Sequence, residues 1–367
     1  MTTTTPEVGT GPSTRQIVQG LLGLAVPVVM LLVLGWAITW MRDTDASRLV
    51  VVSVALGLGV GGVFAAYLGM DKAVDQLPFR LQESVRPWVF VGPALVLLAV
   101  FLLYPAVNTM LVSLQNETST EFVGFDNYEF LLTDASMLRA IRNTVLWMLI
   151  VPAVATGVGL VFATLADRLR RGESVAKSLI FLPMAVSFVG ASVVWAFIYD
   201  FRSFGNQTGV LNGAWTGLGN DPIDWIAQQP WNNFLLMVIM IWMQTGFAMV
   251  ILSAAIKSVP TDIIEAARID GATEFQAFRR VVVPSIMSAI VVVMTTMTIN
   301  VLKIFDIVWV MTGGQDGTEV LAERMVRQFF SFRNNGQGAA VAVLLFLFVL
   351  PIMVWNIRRF QAEEEER

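Results

Sequence analysis

Apolar residues run through this chain in blocks of about twenty, divided by short polar segments. A helix needs roughly 20 apolar residues to cross a bilayer core of about 30 Å. Eight blocks meet that requirement, at 17–41, 49–70, 88–110, 143–166, 177–199, 232–256, 284–304 and 338–358. The pattern therefore predicts an all-α integral membrane protein with eight transmembrane helices. The polar segment DKAVDQLPFRLQESVRP at 71–87 sets the first two spans apart from the other six. Gly57 and Gly61 in span 2 have a small-xxx-small spacing, which allows close packing or reflects ordinary glycine enrichment in membrane helices. The expected domains are a tail at 1–16, an N-terminal helix pair with its linker at 17–86, a six-helix core at 87–358 and an acidic tail at 359–367. The first apolar run is too long for a signal-peptide core, so the polar start MTTTTPEVGTGPSTR is expected to be a retained, disordered tail.

Charge orients these spans. With the N-terminus inside, fifteen of the 24 Lys and Arg residues fall on the cytoplasmic side and eight outside, with Lys303 in or at the end of a span. The positive-inside rule thus puts both termini in the cytoplasm. Hydrophobic residues make up 56% of the chain, against roughly 45–50% in soluble domains. The chain has no cysteine and no histidine, which excludes disulfides, Cys/His zinc sites, histidine-ligated haem and histidine acid–base catalysis. No metal or cofactor is expected, and no catalytic residue. The basic residues form no extended face of the kind that binds nucleic acid. Spans 1–6 carry essentially no mid-span acids, which speaks against an ion-driven secondary transporter.

One loop departs from the pattern. Between spans 6 and 7 the segment 257–284 concentrates charge in EAARIDGATEFQAFRRVVVP, residues 265–284. Asp262 and Glu265 have the spacing of a capping box, as do Thr273 and Gln276. Gly271 between them suits a helix C-terminus. The expected form is two short helices hinged at Gly271, with Phe275 and Phe278 able to anchor one side and Pro284 at the re-entry to the membrane. An amphipathic helix at the headgroups is the other reading of the residues alone.

The pattern EAA, three residues, Gly, nine residues and then aliphatic-x-aliphatic-Pro resembles the signature loop of permeases in ATP-binding cassette (ABC) importers. Glu265, Ala266, Ala267, Gly271, Val281, Val283 and Pro284 fall on its positions, two spans before the end. The resemblance implies a type I, maltose-type permease core plus two extra N-terminal helices. It implies that the loop is a coupling helix seated in a groove of a separate ATPase, with Glu265, Ala266, Ala267, Asp270, Gly271 and Ala272 at the contact. The implied partners are two cytoplasmic ATPase subunits, a second permease in a heterodimer, and an extracytoplasmic solute-binding protein. No GxxxxGK[ST] phosphate loop occurs in the chain, so ATP hydrolysis is assigned to those ATPases.

Further stretches resemble sugar permeases of the maltose and alpha-glucoside type: FVGFDNYEFLLTD at 122–134, the RNT at 142–144, GVLNGAW at 209–215, and LKIFDIVWVMTGGQDGTEVLAERMVRQFF at 302–330. Gly209 and Gly213 are expected to make a tight turn, and Gly313–Gln315 a turn in an outer loop. The implied solute is an alpha-glucoside or a disaccharide such as maltose or trehalose. Polyols, glycosylated compatible solutes and glycerol phosphate are the alternatives.

A sugar route needs hydrogen-bonding groups and stacking aromatics. Thr296, Asn300 and Lys303 recur at i, i+4, i+7 in span 7, with Asp306 three further on. Gln244 and Thr245 in span 6 and Trp195 and Tyr199 in span 5 complete the candidates, with Ser187 and Ser192 weaker. The bland readings are interhelical hydrogen bonding for the polar groups, a Lys303–Asp306 ion pair, and packing for the aromatics.

Overall fold

The computed structural model describes residues 29–365, apart from 30, 31, 34, 45, 76–78 and 170. Most of the first expected span, 17–28, and the tail before it lie outside the described residues. The chain divides near Ala106 into two compact units.

In the first unit, α1 (Arg48–Leu56) continues through a π-helical turn (Gly57–Gly61) into α2 (Gly62–Asp75). Gly57 and Gly61 lie in that turn with no close neighbour among the described residues. A polar seam joins α2 to α3 (Phe79–Leu98): Arg86 reaches Asp71 at 3.0 Å, and the Tyr67 hydroxyl donates to the Phe90 carbonyl. A second π-turn (Ala99–Leu103) leads into α4 (Tyr104–Val112). Gln82–Val112 thus reads as one 31-residue span, longer at both ends than the expected 88–110, and none of its apolar stretch is buried.

The second unit continues with α5 (Asp126–Thr133), α6 (Ala135–Asp167), α7 (Glu173–Phe181), α8 (Phe188–Ile198), α9 (Val210–Gly217) and α10 (Trp231–Lys257). After these come α11 (Thr261–Ile269), α12 (Glu274–Ala277), α13 (Val283–Ser285), α14 (Met287–Leu302), α15 (Asp306–Met311), α16 (Leu321–Val326) and α17 (Asn335–Glu365). Among the described residues the only β-structure is a bridge between Gln115 and Phe122. With no water in the hydrocarbon region, each segment must satisfy its own backbone, and helices do so.

Two expected spans are not straight. The 177–199 block is α7 and a 3₁₀ turn (Leu182–Ala185) followed by α8, bent by 102°. The break has a local cause: Val186 is extended, and the Ser187 hydroxyl caps α8 by accepting from the Gly190 amide. The 284–304 block starts earlier, at Glu274, and bends by 68° at Ile286. Four straight helices are long and apolar enough to cross a membrane, or six spans in all if each bent pair is one. The described residues therefore do not show the expected count of eight. The expected acidic tail begins within α17, whose helix runs to Glu365.

α10 is the central post: 61% of its apolar stretch is buried, against 33% for α6 and 22% for α17. Small residues let its neighbours approach. A β-carbon on Gly159 of α6 would lie 2.4 Å from the Ala248 β-carbon of α10. One on Gly246 would meet the Phe181 backbone at 2.7 Å. Trp147, Leu236, Met237, Met240 and Ile307 fill one half of the core around this post, and Ala155, Met249, Leu252, Val293 and Met297 the other.

Candidate transport cavity and coupling surface

At the Lys257 end of α10 the chain turns through Ser258–Pro260 into α11, none of whose residues is buried. Pro260 occupies the N-cap and no side chain caps it, so the expected Asp262–Glu265 box does not form. Asp262 instead places its charge in the first turn, where the helix dipole favours it. Gly271 adopts φ +85°, and the amides of Gly271 and Ala272 donate to the carbonyls of Arg268 and Ala267. These two bonds end the helix in the left-handed manner that glycine permits. Thr273 and Gln276 then form the expected reciprocal box at the start of α12. Arg268 spans the hinge, its Nε 2.8 Å from Glu274 Oε1.

Ile264 and Phe278 pack against the core cluster that includes Val259 and Val282 and fasten the pair to the bundle, whereas Phe275 is 70% exposed. Glu265, Ala266, Asp270 and Gly271 are exposed, and Ala267 and Ala272 half-buried. The result is a slim, charged helix pair that presents small side chains and leaves its outer face uncovered.

Directly above the pair, three helix ends are tied together. Lys177 of α7 donates to Asp167 at 2.6 Å, to Glu173 at 2.7 Å and to the Ser253 hydroxyl of α10 at 2.5 Å. Ser253 donates in turn to Asp167 at 2.7 Å, and Lys257 pairs with Glu173. This half-buried knot links α6, α7 and α10 just before α11 departs. Sequence reasoning missed it: its members are dispersed from 167 to 257 and share no periodicity.

Midway along the bundle, the bend between α7 and α8 opens a cavity of about 460 Å³. Gln244, Asn300 and Asp306 line it, together with Ser187 and the apolar Met184, Val186, Phe188, Val189 and Met243. Four helices therefore bring three of the expected pathway residues to one wall. The others go elsewhere. Thr245 is buried and donates to the Ile241 carbonyl of its own helix, and Thr296 does the same to Val292. Lys303 lines a neighbouring cleft of about 380 Å³ that it shares with Asp306, and no ion pair joins the two among the described residues.

Trp195 packs at 5.2 Å from Tyr199 and edge-on to Trp242 at 5.8 Å, in the core. Tyr199 is 5% exposed, and its hydroxyl donates to the Leu235 carbonyl. The apolar wall at 184–189 was not expected. Pro183 and the Ser187-x-x-Gly190 cap were the available signals.

The opposite end of the bundle is closed by buried polar groups. Arg139 holds Glu319 at 2.9 Å, and the Asn143 amide donates to the carbonyls of Gly317 and Glu319. The Thr144 hydroxyl accepts from the Leu321 amide, and Asn232 donates to the Asp316 carbonyl. Fully buried Glu323 pairs with Arg327 at 2.6 Å, and that guanidinium lies over Trp309. Burial pushes the Glu323 carboxyl up, and Arg327 pulls it back down by a smaller amount.

The motifs noted in the sequence acquire jobs here. Asn127 donates to the carbonyls of Ser113 and Gln115. Asn212 donates to Asp200 and Ile223 and accepts from Ile223 and Trp225. Gly213 lies inside α9 and makes no turn, while Gly209 allows close contact with the Asp200 backbone. Gly313 and Gly314, both with positive φ, form the expected turn.

Residues 155–359 match the family described as the binding-protein-dependent transport system inner membrane component. The chain belongs to that family. Its members are the membrane permeases of ABC importers, distinct from the nucleotide-binding subunits. This permease is 51% identical to the osmoprotective compounds uptake permease protein GgtC of Synechocystis sp., over 76% of the chain and the whole of that protein. It is 49% identical to the alpha-glucoside transport system permease protein AglF of Rhizobium meliloti, over 80% of this chain and 88% of the other. A solved bacterial ABC transporter involved in the import of the acidic polysaccharide alginate shares the fold. Its TM-score is 0.66 at 20% identity, covering 77% of the permease and 99% of that chain.

Proposed function

We propose that this permease is one membrane subunit of an ATP-driven importer for alpha-glucosides, and that α11 and α12 seat on a separate ATPase. The observation that carries the reading is the uncovered helix pair hinged at Gly271, which the chain fastens from one side only. Glu265, Asp270 and the small residues Ala266, Ala267 and Ala272 form its contact surface. Charges set among small side chains dock specifically and with little bulk.

In the proposed cycle, closure of two ATPases pushes the pair. The Lys177–Asp167–Ser253 knot carries the push into α6, α7 and α10, and the cavity at Gln244, Asn300 and Asp306 changes the side to which it opens. The helix pair and both termini then face the cytoplasm, and the Arg139–Glu319 end faces the solute-binding protein. A second permease completes a heterodimer around the route. Residues 17–86 are an appended unit in this reading, and 87–358 the permease core.

The named solute of the AglF relative and the hydroxyl-matching amides of the cavity wall support an alpha-glucoside. The GgtC relative favours a second reading, a glycosylated compatible solute, which the same neutral groups would hold. The test is uptake of labelled sucrose, trehalose and maltose by cells with and without the gene, each before and after ATP depletion. ATP-dependent uptake lost with the gene is expected. Uptake that survives depletion would overturn the proposal.

A further inference from the structure

We infer that Asp306 gives the cavity a charge filter, which admits neutral and cationic solutes and rejects anionic ones. The inference rests on the cavity being the solute route proposed above. Of the side chains lining it, Gln244, Asn300 and Ser187 are neutral and polar, and Asp306 bears the single formal charge. The rest are apolar and offer that charge no counterion. Lys303, the nearest base in sequence, is exposed on the neighbouring cleft and forms no ion pair with Asp306. Asp306 opens α15, which packs on α8, so the carboxylate is held at the wall by two helices and does not ride on a free loop.

A carboxylate is acceptor-only. Toward a polyhydroxyl solute it accepts from two hydroxyls, while the amides of Gln244 and Asn300 donate and accept beside it. Toward a uronate, sulfonate or phosphate it offers only lone pairs to lone pairs. At about 6 Å and an effective dielectric of 20–40, two like charges repel enough to shift partition on the order of tenfold to hundredfold. The filter separates solutes by charge where the amides alone would separate them by shape.

The chain contains no cysteine, so a single introduced thiol reports the local field. Val189→Cys places one on the cavity wall, and Met184→Cys a second on the other side of the bend. Phe204→Cys, at a position 93% exposed between α8 and α9, is the reference. The assembled importer in nanodiscs is treated with a trimethylammonium-ethyl or a sulfonato-ethyl methanethiosulfonate, and modification of this chain is timed by mass spectrometry. The cationic-to-anionic rate ratio at Val189→Cys, divided by the reference ratio, should be about 10. It should fall to about 1 when Asp306→Asn is added and persist with Asp306→Glu.

An equal ratio in the Asp306 and Asp306→Asn backgrounds would overturn the filter. So would failure of both wall thiols to react with either reagent. Labelled sucrose uptake by the same importer separates this inference from the one beneath it. Absent uptake with a shifted ratio removes the sugar and keeps the filter, and normal uptake with an unshifted ratio does the reverse.

Discussion

The two ends of α6 and α10 are built to different rules. At the Arg139 end, groups distant in sequence meet, Arg139 with Glu319 and Asn143 with the Gly317 and Glu319 carbonyls, while Glu323 pairs with Arg327 one helical turn on. At the other end, α11 has no buried residue and Ile269 is 87% exposed, while the pair is held through Ile264, Ala277 and Phe278. A buried carboxylate with a base 2.6 Å away has its countercharge within one chain. The exposed Ile269 beside the hinge is covered by nothing among the described residues. The first end is closed on itself, and the second is the one proposed to receive a force.

The largest effect that tests this contrast should come from the closed end. Arg327→Met would leave the buried Glu323 carboxylate without its base, and breaking such a pair costs about 3–5 kcal/mol. Thermal unfolding in detergent should show a large fall in Tm, and an unchanged Tm would mean that this end is looser than its contacts imply.

Gly271→Pro should leave Tm within a few degrees. It removes the amide that donates to Arg268 and forbids φ +85°, so uptake should fall about a hundredfold or more. Normal uptake would refute the assigned role of the hinge. Lys177→Met strips the knot of its centre and should cut uptake about tenfold while basal ATP hydrolysis by the complex persists, with Lys177→Arg restoring part of it. Equal losses of both activities would mark the knot as merely structural.

The smallest effect returns to the closed end. Asp134 caps α6 by accepting from the Ser136 and Met137 amides, so Asp134→Ala should cost about 1 kcal/mol. Its carboxyl is held below the usual 3.8, chiefly by the Ser136 hydroxyl and further by those amides and Arg324. The stability it adds is therefore present above pH 3.8 and lost as pH falls through the lowered value. A pH titration of Tm that is identical in Asp134→Ala would contradict this.

What the sequence made legible follows the range of the forces involved. The hinge was legible because Gly271, Thr273 and Gln276 settle their conformations within a few residues. Asp262 and Glu265 had the same spacing, and there Pro260 took the cap position. Helix type was plain in every long block. The bends at Val186 and Ile286 were hidden because the apolar run continues across them and hydropathy carries no angle. Gln244, Asn300 and Asp306 were named from polar spacing, yet only the packing of four helices puts them on one wall. Arg139 and Glu319 are separated by 180 residues, a distance at which no periodicity speaks.

The Arg268–Glu274 strap across Gly271 carries one more consequence. Both ends are half exposed or more, and such a pair is worth about 0.5 kcal/mol, close to the thermal energy. The angle between α11 and α12 is therefore preferred without being locked. In mechanical terms the loop is a soft torsion spring on a stiff mount. In the proposed coupling it can adjust to an ATPase seated against it, and the push is met at the knot where Lys177 joins α6, α7 and α10.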